Sequence, residues 1–173
     1  MTEVGIGLGS NLGDRCGNII AALLALRSRS SVRLTRISDI YETPPWGVVE
    51  QPAFLNAAAL LETSLSPDAF LEACKEIERL LGREVRERWG PREIDIDLLF
   101  FGDVSVSTDK LTLPHPCLFE RLFVLVPLCE IAGEQSVADR SLSEALSHLA
   151  EIESGSDVRL NPLATSRMRS AFD

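Results

Sequence analysis

Two aspartates, Asp95 and Asp97, stand two positions apart in the apolar stretch from Ile94 to Phe101. Successive side chains of an extended chain point to opposite faces, so Asp95 and Asp97 share one face while Ile94, Ile96 and Leu98 occupy the other. Paired carboxylates on so apolar a strand oppose each other's ionisation and are costly to bury unless a cation compensates them. Magnesium would supply that charge. Just upstream, Arg83, Arg86, Arg88 and Arg92 crowd one loop, and guanidinium forks suit bidentate contact with phosphate. Phosphoryl transfer needs both features: carboxylates for the metal, and arginines for the charge that shifts as the bond breaks. Each has a bland alternative. The arginines alternate with Glu84, Glu87 and Glu93 as in a solvated loop, and the aspartates could face water at a strand edge. Their coincidence in one stretch favours phosphate chemistry.

A second group of residues could bind a flat ring. Trp46 and Trp89 lie in loops containing glycine and proline, and Phe54, Asn56 and Phe123 could line the same side. Aromatic side chains sandwiching a planar ring, with Asn56 reading its polar edge, would make a coherent pocket; packing in the core is the competing use. His115, between two prolines, either fixes a turn or offers a neutral nitrogen to phosphate. His148 reads as structural. The run GIGLGSNLG superficially suggests a dinucleotide fingerprint, but the step from Gly9 to Gly13 is one residue too long. No G-K-[ST] occurs, which removes the commonest phosphate loop.

The elements that must position these residues follow from periodicity and punctuation. A strand over Glu3 to Leu8 leads through a polar turn into an apolar-periodic helix from about Asp14 to Arg27. Val32 to Thr43 reads as a long strand with a bulge, stopped by Pro44-Pro45, and Phe54 to Glu62 as another strand despite its alanines. Ser66-Pro67-Asp68 starts a helix that Gly82 can end in a left-handed conformation. After the charged loop comes the strand Ile94 to Phe101, then an irregular hairpin from Val104 to Leu113. Phe123 to Ala132 resembles a helix interrupted by Pro127, and Leu142 to Ile152 is an amphipathic helix. This order, β-α-β-β-α-β, predicts an α/β (α+β) ferredoxin-like antiparallel sheet with two helices on one face, the other face available, and additional C-terminal helices. Residues 1–153 form one expected domain. Glycine, serine and charge predict a mobile C-terminal tail over 154–173.

Composition excludes several classes. At 173 residues and 45% hydrophobic, the chain is long enough for a substantial core. The formal net charge of −9 gives no general attraction to nucleic acid or an anionic membrane, so an anionic ligand must be held by local arginines. Cys16, Cys74, Cys117 and Cys129 form no C-x-x-C pair and are expected to be reduced and structural. No opening signal segment is apparent, and Ile19 to Leu26 is too short to span a bilayer, so a cytoplasmic location is expected.

With these residues in place, the sequence closely resembles the 6-hydroxymethyl-7,8-dihydropterin pyrophosphokinases of folate biosynthesis. The resemblance runs from about Val4 to Ala132 through GLGSNLGD, YETPPWG-VVEQPAFLNAA, LGR, RWGPREIDIDLLFFG, LPHP and RLFVLVPLCEIA. It implies a ferredoxin-like fold and transfer of pyrophosphate from ATP to the pterin's hydroxymethyl group, releasing AMP. It further implies that Asp95 and Asp97 bridge two magnesium ions and that Arg83 and Arg92 assist transfer from a mobile loop. Thr43, Pro44, Trp46, Phe54, Asn56 and Phe123 match pterin-pocket positions, with Phe54 and Phe123 stacking. Glu78, Arg88, Trp89, Leu99, Lys110, Thr112, His115 and Arg121 fall at or near ATP-site positions. There are departures. Val85 stands where the family often has an arginine, leaving the part of Arg86 open; Lys110 replaces a forked arginine with a point charge; and Lys75 stands where an uncharged nucleotide contact can lie.

The expected protein is therefore an ATP-dependent pyrophosphokinase acting as a monomer on ATP and the pterin, without nucleic acid or membrane partners. The alternative from another class is a ferredoxin-like ligand-binding module that kept the pocket without catalysis, against which Asp95, Asp97, Arg83 and Arg92 speak. A nicotinamide-dependent oxidoreductase fails on the glycine spacing.

Overall fold

A computed structural model gives the fold and describes residues 1–45, 50–83, 90–153 and 157–173. The chain opens with β1 (Thr2–Ser10) and α1 (Arg15–Arg27). Asp14 caps that helix by accepting the Gly17 amide at 3.0 Å. There follow β2 (Val32–Ile37), β3 (Tyr41–Thr43), β4 (Phe54–Thr63) and α2 (Pro67–Leu80). The start signal at Ser66 and Pro67 is realised, with the Ser66 hydroxyl accepting from the Ala69 amide at 3.3 Å. Gly82, at φ 90°, turns the chain out of that helix. Next come β5 (Asp95–Phe101), the small hairpin β6 (Val106–Ser107) and β7 (Thr112–Leu113), and α3 (Leu122–Ala132) with Pro127 inside it. A second small hairpin, β8 (Ser136–Val137) and β9 (Arg140–Ser141), leads into α4 (Leu142–Ile152). The chain finishes with β10 (Arg159–Leu160) and α5 (Pro162–Phe172).

The main sheet is antiparallel in the order β10-β3-β4-β1-β5, with β2 also pairing with β4. This is the ferredoxin-like arrangement that the element order predicts, except that the expected single strand from Val32 to Thr43 is two strands laid along β4. The bulge lies between Leu34 and Arg36, where the Thr35 hydroxyl donates to the Leu60 carbonyl at 2.8 Å. On the first face, Val4, Ile6, Leu8, Leu55, Ala57, Ala59, Ile96 and Leu98 pack against α1 and α2 in the main core.

The second face differs from expectation. It is open only in part: Ala58, Leu60, Leu99 and Phe100 pack beneath α3 and α4 in a smaller core with Leu118, Leu125 and Leu128. A register shift between β1 and β5 lets Leu99 and Phe100 both reach that core, since Gly5 faces Phe100 while Ile6 faces Leu98. A β-carbon on Gly5 would fall 2.1 Å from the Phe100 ring, so only glycine fits there.

Residues 157–173 also correct an expectation. Composition predicted a tail, yet β10 extends the sheet beside β3 and α5 packs on α1, burying Ala164 and Met168 in the main core. Asn161 caps α5 through its side chain, which accepts from Ala164, and Pro162 takes the first position. The apolar contacts are few but correctly spaced. Segmental composition averages over such spacing, which is why it missed them.

Candidate active site

The part of the second face that α3 leaves uncovered is a cleft of about 570 Å³. Gly7 and Gly9 of β1 form its floor. Asp97 and Asp95 of β5 sit opposite them on one side, and Ala58 and Asn56 of β4 on the other. Neighbouring strands lie about 4.8 Å apart, so Asp95 and Asn56 are separated by roughly 10 Å with only glycine between them. A β-carbon on Gly9 would lie 3.3 Å from Asn56 Oδ1 and 3.8 Å from the Phe54 ring. The alternating glycines thus bare one face of a strand, a use that the comparison with dinucleotide fingerprints did not anticipate.

One end of the cleft gathers charge. Burial alone would raise the Asp95 carboxyl, but Arg92 and Arg83 outweigh it and hold the group below its ordinary value. Both arginines pair with it, Arg83 at 2.5 Å. Asp97 behaves oppositely: burial, reinforced by the charge of Asp95, pushes its carboxyl up from 3.8 to about 7. Arg83 also meets Glu78 at 2.5 Å, and Lys75 reaches Glu78 at 3.1 Å. Glu78 accepts the Ile96 amide of edge strand β5 at 2.7 Å. Burial raises its carboxyl despite Lys75. It therefore anchors α2 and Arg83 to the strand that bears the aspartates.

Asn11, which is buried, ties together the loops around this end. Its side chain accepts the Arg92 amide at 2.8 Å and donates to Gln51 Oε1 and the Pro52 carbonyl, both at 3.1 Å. His115 is fixed by its amide, which donates to the Leu99 carbonyl at 2.8 Å. Burial, then the charge of Arg121, lowers its imidazole. Its Nδ1 accepts the Cys117 amide at 3.1 Å, which leaves the proton of the neutral ring on Nε2 as a donor.

The other end carries fewer charged side chains. Asn56 donates to the Thr43 hydroxyl at 2.7 Å in a buried pair that joins β4 to β3. Pro44, Phe54 and Phe123 line the same end, and the Arg121 guanidinium lies 5.6 Å from the Phe123 ring centroid.

Among the described residues, no three His, Cys, Asp or Glu side chains converge on a possible metal position. The donor set nevertheless fits magnesium, which commonly binds through one or two carboxylates and completes its octahedron with water and substrate phosphates. Burial and the charge of Asp95, which together raise Asp97, are what a bound cation would offset.

Arg83, Arg92, Asp95, Asp97, Thr43, Pro44, Phe54, Asn56, Phe123, His115 and Arg121 all line this cleft. Four expected ATP-site residues do not. Glu78 is the buried anchor just described, and Leu99 belongs to the second core with its carbonyl taken by His115. Lys110 is exposed beside the small hairpin, and Thr112 lies within it. Trp46, Arg88 and Trp89 lie outside the described residues, as do Val85 and Arg86. The cleft adds Cys117, Gly7 and Gly9, none singled out from the sequence as wall residues, and it includes Lys75, which the resemblance places near a nucleotide contact.

Residues 5–133 match the model of the 7,8-dihydro-6-hydroxymethylpterin-pyrophosphokinase (HPPK) family. The chain belongs to that family. Every residue lining the cleft falls inside the matched region. A 2-amino-4-hydroxy-6-hydroxymethyldihydropteridine pyrophosphokinase of Methylorubrum extorquens is 45% identical over 149 residues, covering 86% of this chain and 94% of its own. The enzyme of that name in Bacillus subtilis is 47% identical over 129 residues, covering 75% and 77%. A crystal structure of HPPK-DHPS in complex with substrates superposes with a TM-score of 0.72 at 15% identity, over 87% of this chain and 44% of that one. The likeness is one of fold, and the chain spans less than half of that larger protein.

Proposed function

We propose that this HPPK-family enzyme uses the two ends of the cleft for the two substrates of its reaction, transfer of pyrophosphate from ATP to 6-hydroxymethyl-7,8-dihydropterin. The observation that carries the reading is the shared glycine floor. The carboxylates and arginines stand at one end of it, and Thr43, Asn56, Phe54 and Phe123 at the other. Phe54 and Phe123 stack the ring, while Asn56 and Thr43 read its edge. The hydroxymethyl group then points across Gly7 and Gly9 toward the aspartates.

In the reaction the pterin hydroxyl oxygen attacks the β-phosphorus of ATP. The bond from that phosphorus to the oxygen bridging to the α-phosphate breaks, and AMP leaves with that oxygen. Asp95 and Asp97 are the groups that would hold two magnesium ions; when bound, these supply charge to the phosphate oxygens and acidify the attacking hydroxyl. Arg83 and Arg92, which pair with Asp95, also stand where their guanidinium forks can meet the triphosphate and its larger charge. His115 donates from Nε2, and Lys75 and Arg121 add positive charge along the wall. The walls position the reactants and exclude water, and no covalent enzyme intermediate is needed. Among the described residues no helix is long and apolar enough to cross a membrane. The reading has the protein act as a cytoplasmic monomer on these two small molecules.

The test is product analysis after mixing protein, ATP, magnesium and the hydroxymethylpterin. AMP with pterin diphosphate is expected. Formation of ADP would overturn the pyrophosphoryl step, and tight pterin binding without turnover would favour the non-catalytic module.

A further inference from the structure

We propose that the C-terminal segment, β10 and α5, is a positioning element for the pterin end of the cleft, holding β3 so that Thr43 and Asn56 present a fixed edge to the ring. This rests on the pterin assignment made above. β3 has only three residues and pairs with β4 on one side. A strand that short, left at an edge, is poorly fixed. β10 covers the other side, with Arg159 opposite Glu42 and Leu160 opposite Tyr41.

The residue leading into β3 is held by the same segment. Both backbone polar groups of Ile40, which is fully buried, are satisfied from it: the Ile40 amide donates to the Thr165 hydroxyl at 2.9 Å, and its carbonyl accepts the Asn161 amide at 2.8 Å. Arg169 adds an ion pair to Asp39 at 2.5 Å. The segment has its own foundation on α1. Ala164 and Met168 enter the main core, and Arg167 makes two contacts of 2.6 Å to Asp14, the cap of α1. Load placed on β3 is thus passed to α1. Val158 and Asp157 also help line a smaller cavity of about 210 Å³ that adjoins Thr43, Pro44 and Phe123. The family match stops at residue 133, so this support comes from outside the matched region.

The geometry separates the two substrates. β3 and β5 are three strand spacings apart, about 14 Å. A change at Thr165 should therefore be felt by the pterin and hardly at all by the triphosphate. Thr165→Val keeps the shape and removes the acceptor for the Ile40 amide. In the full-length protein it should raise the Kd and KM for hydroxymethyldihydropterin about tenfold, leaving the KM for ATP and kcat at saturating pterin within about twofold. Thr165→Ser, which retains the hydroxyl, should restore both values. Arg169→Ala should shift the same parameter in the same direction by a smaller factor.

Unchanged pterin affinity in Thr165→Val overturns the proposal, as does an equal loss for ATP and kcat, the pattern of general loosening. Failure of Thr165→Ser to rescue also overturns it. A wild type that binds the pterin without turning it over removes the catalytic reading alone, since the pterin Kd still reports the positioning. A wild type that does not bind the pterin removes both.

Discussion

Asp97→Asn is expected to stabilise the protein in the absence of metal while abolishing its chemistry. Burial and the neighbouring Asp95 hold the Asp97 carboxyl at about 7 instead of 3.8. Between these values the folded chain keeps a proton that the unfolded chain has released, so folding stability falls as pH rises. The contribution is fully present below pH 3.8 and is lost as pH passes through about 7. At about 1.4 kcal/mol per pH unit the whole difference amounts to about 4 kcal/mol. Because Asp95 and Asp97 share their repulsion, about 2–4 kcal/mol is the range expected for the single site.

Asparagine has nearly the same shape and cannot ionise, so the variant escapes this loss. Thermal unfolding in EDTA should show wild type and variant alike near pH 4 and the variant ahead near pH 8. For a chain of this length the gain corresponds to about 4–16 °C in Tm. Adding magnesium with a non-hydrolysable ATP analogue should reverse the order, because only wild type gains from the ions. A variant no more stable than wild type near pH 8, or an advantage of the same size at both pH values, would falsify the claim that Asp97 is a strained, cation-seeking carboxylate.

Three further variants probe other parts of the cleft. Gly9→Ala puts a methyl group 3.3 Å from Asn56 Oδ1 on the bare floor; pterin affinity should fall about tenfold by calorimetry while Tm holds or rises, since glycine costs a strand about 0.5–1 kcal/mol, and unaltered affinity would show that the ligand does not lie on this floor. Glu78→Ala removes the partner of Ile96, Lys75 and Arg83 together; urea unfolding should report a loss of about 3 kcal/mol, and a loss under about 1 kcal/mol, the value of a surface ion pair, would count against the anchor. Arg83→Lys keeps the charge but gives up the fork; turnover should fall about 10- to 100-fold with little change in pterin Kd, whereas normal turnover would remove Arg83 from the transfer step.

The elements that position the cleft were legible where local rules govern them. Ser66 and Pro67 announce α2, and the period of two along β5 separates Asp95 and Asp97 from the apolar side. What could not be read depends on residues distant in sequence. Nothing near Glu78 says that its carboxylate will accept an amide eighteen positions further on, and nothing near Thr165 points to Ile40, 125 positions earlier. How much of the second face stays open was illegible for the same reason. Whether a ferredoxin-like sheet keeps a free face depends on where later helices settle, and Leu99 and Phe100 are brought to α3 by a register shift that no periodicity announces.

Gly5, Gly7 and Gly9 show how one sequence pattern divides into packing and function. All three point toward the second face, yet the structure uses them differently. At Gly5 the missing side chain is replaced by the Phe100 ring, which belongs to the second core. At Gly7 and Gly9 the floor lies open in the cleft. The boundary between core and site is therefore set by the register shift beside Gly5: it turns Phe100 inward on one side and leaves Asp97 and Asp95 facing glycine on the other. A single strand thus provides both a close packing contact with the Phe100 ring and the space in which two substrates can meet. Larger residues at positions 7 and 9 would fill that space with side chain, whereas at position 5 they would break the packing that holds β5, and with it the aspartates, against β1.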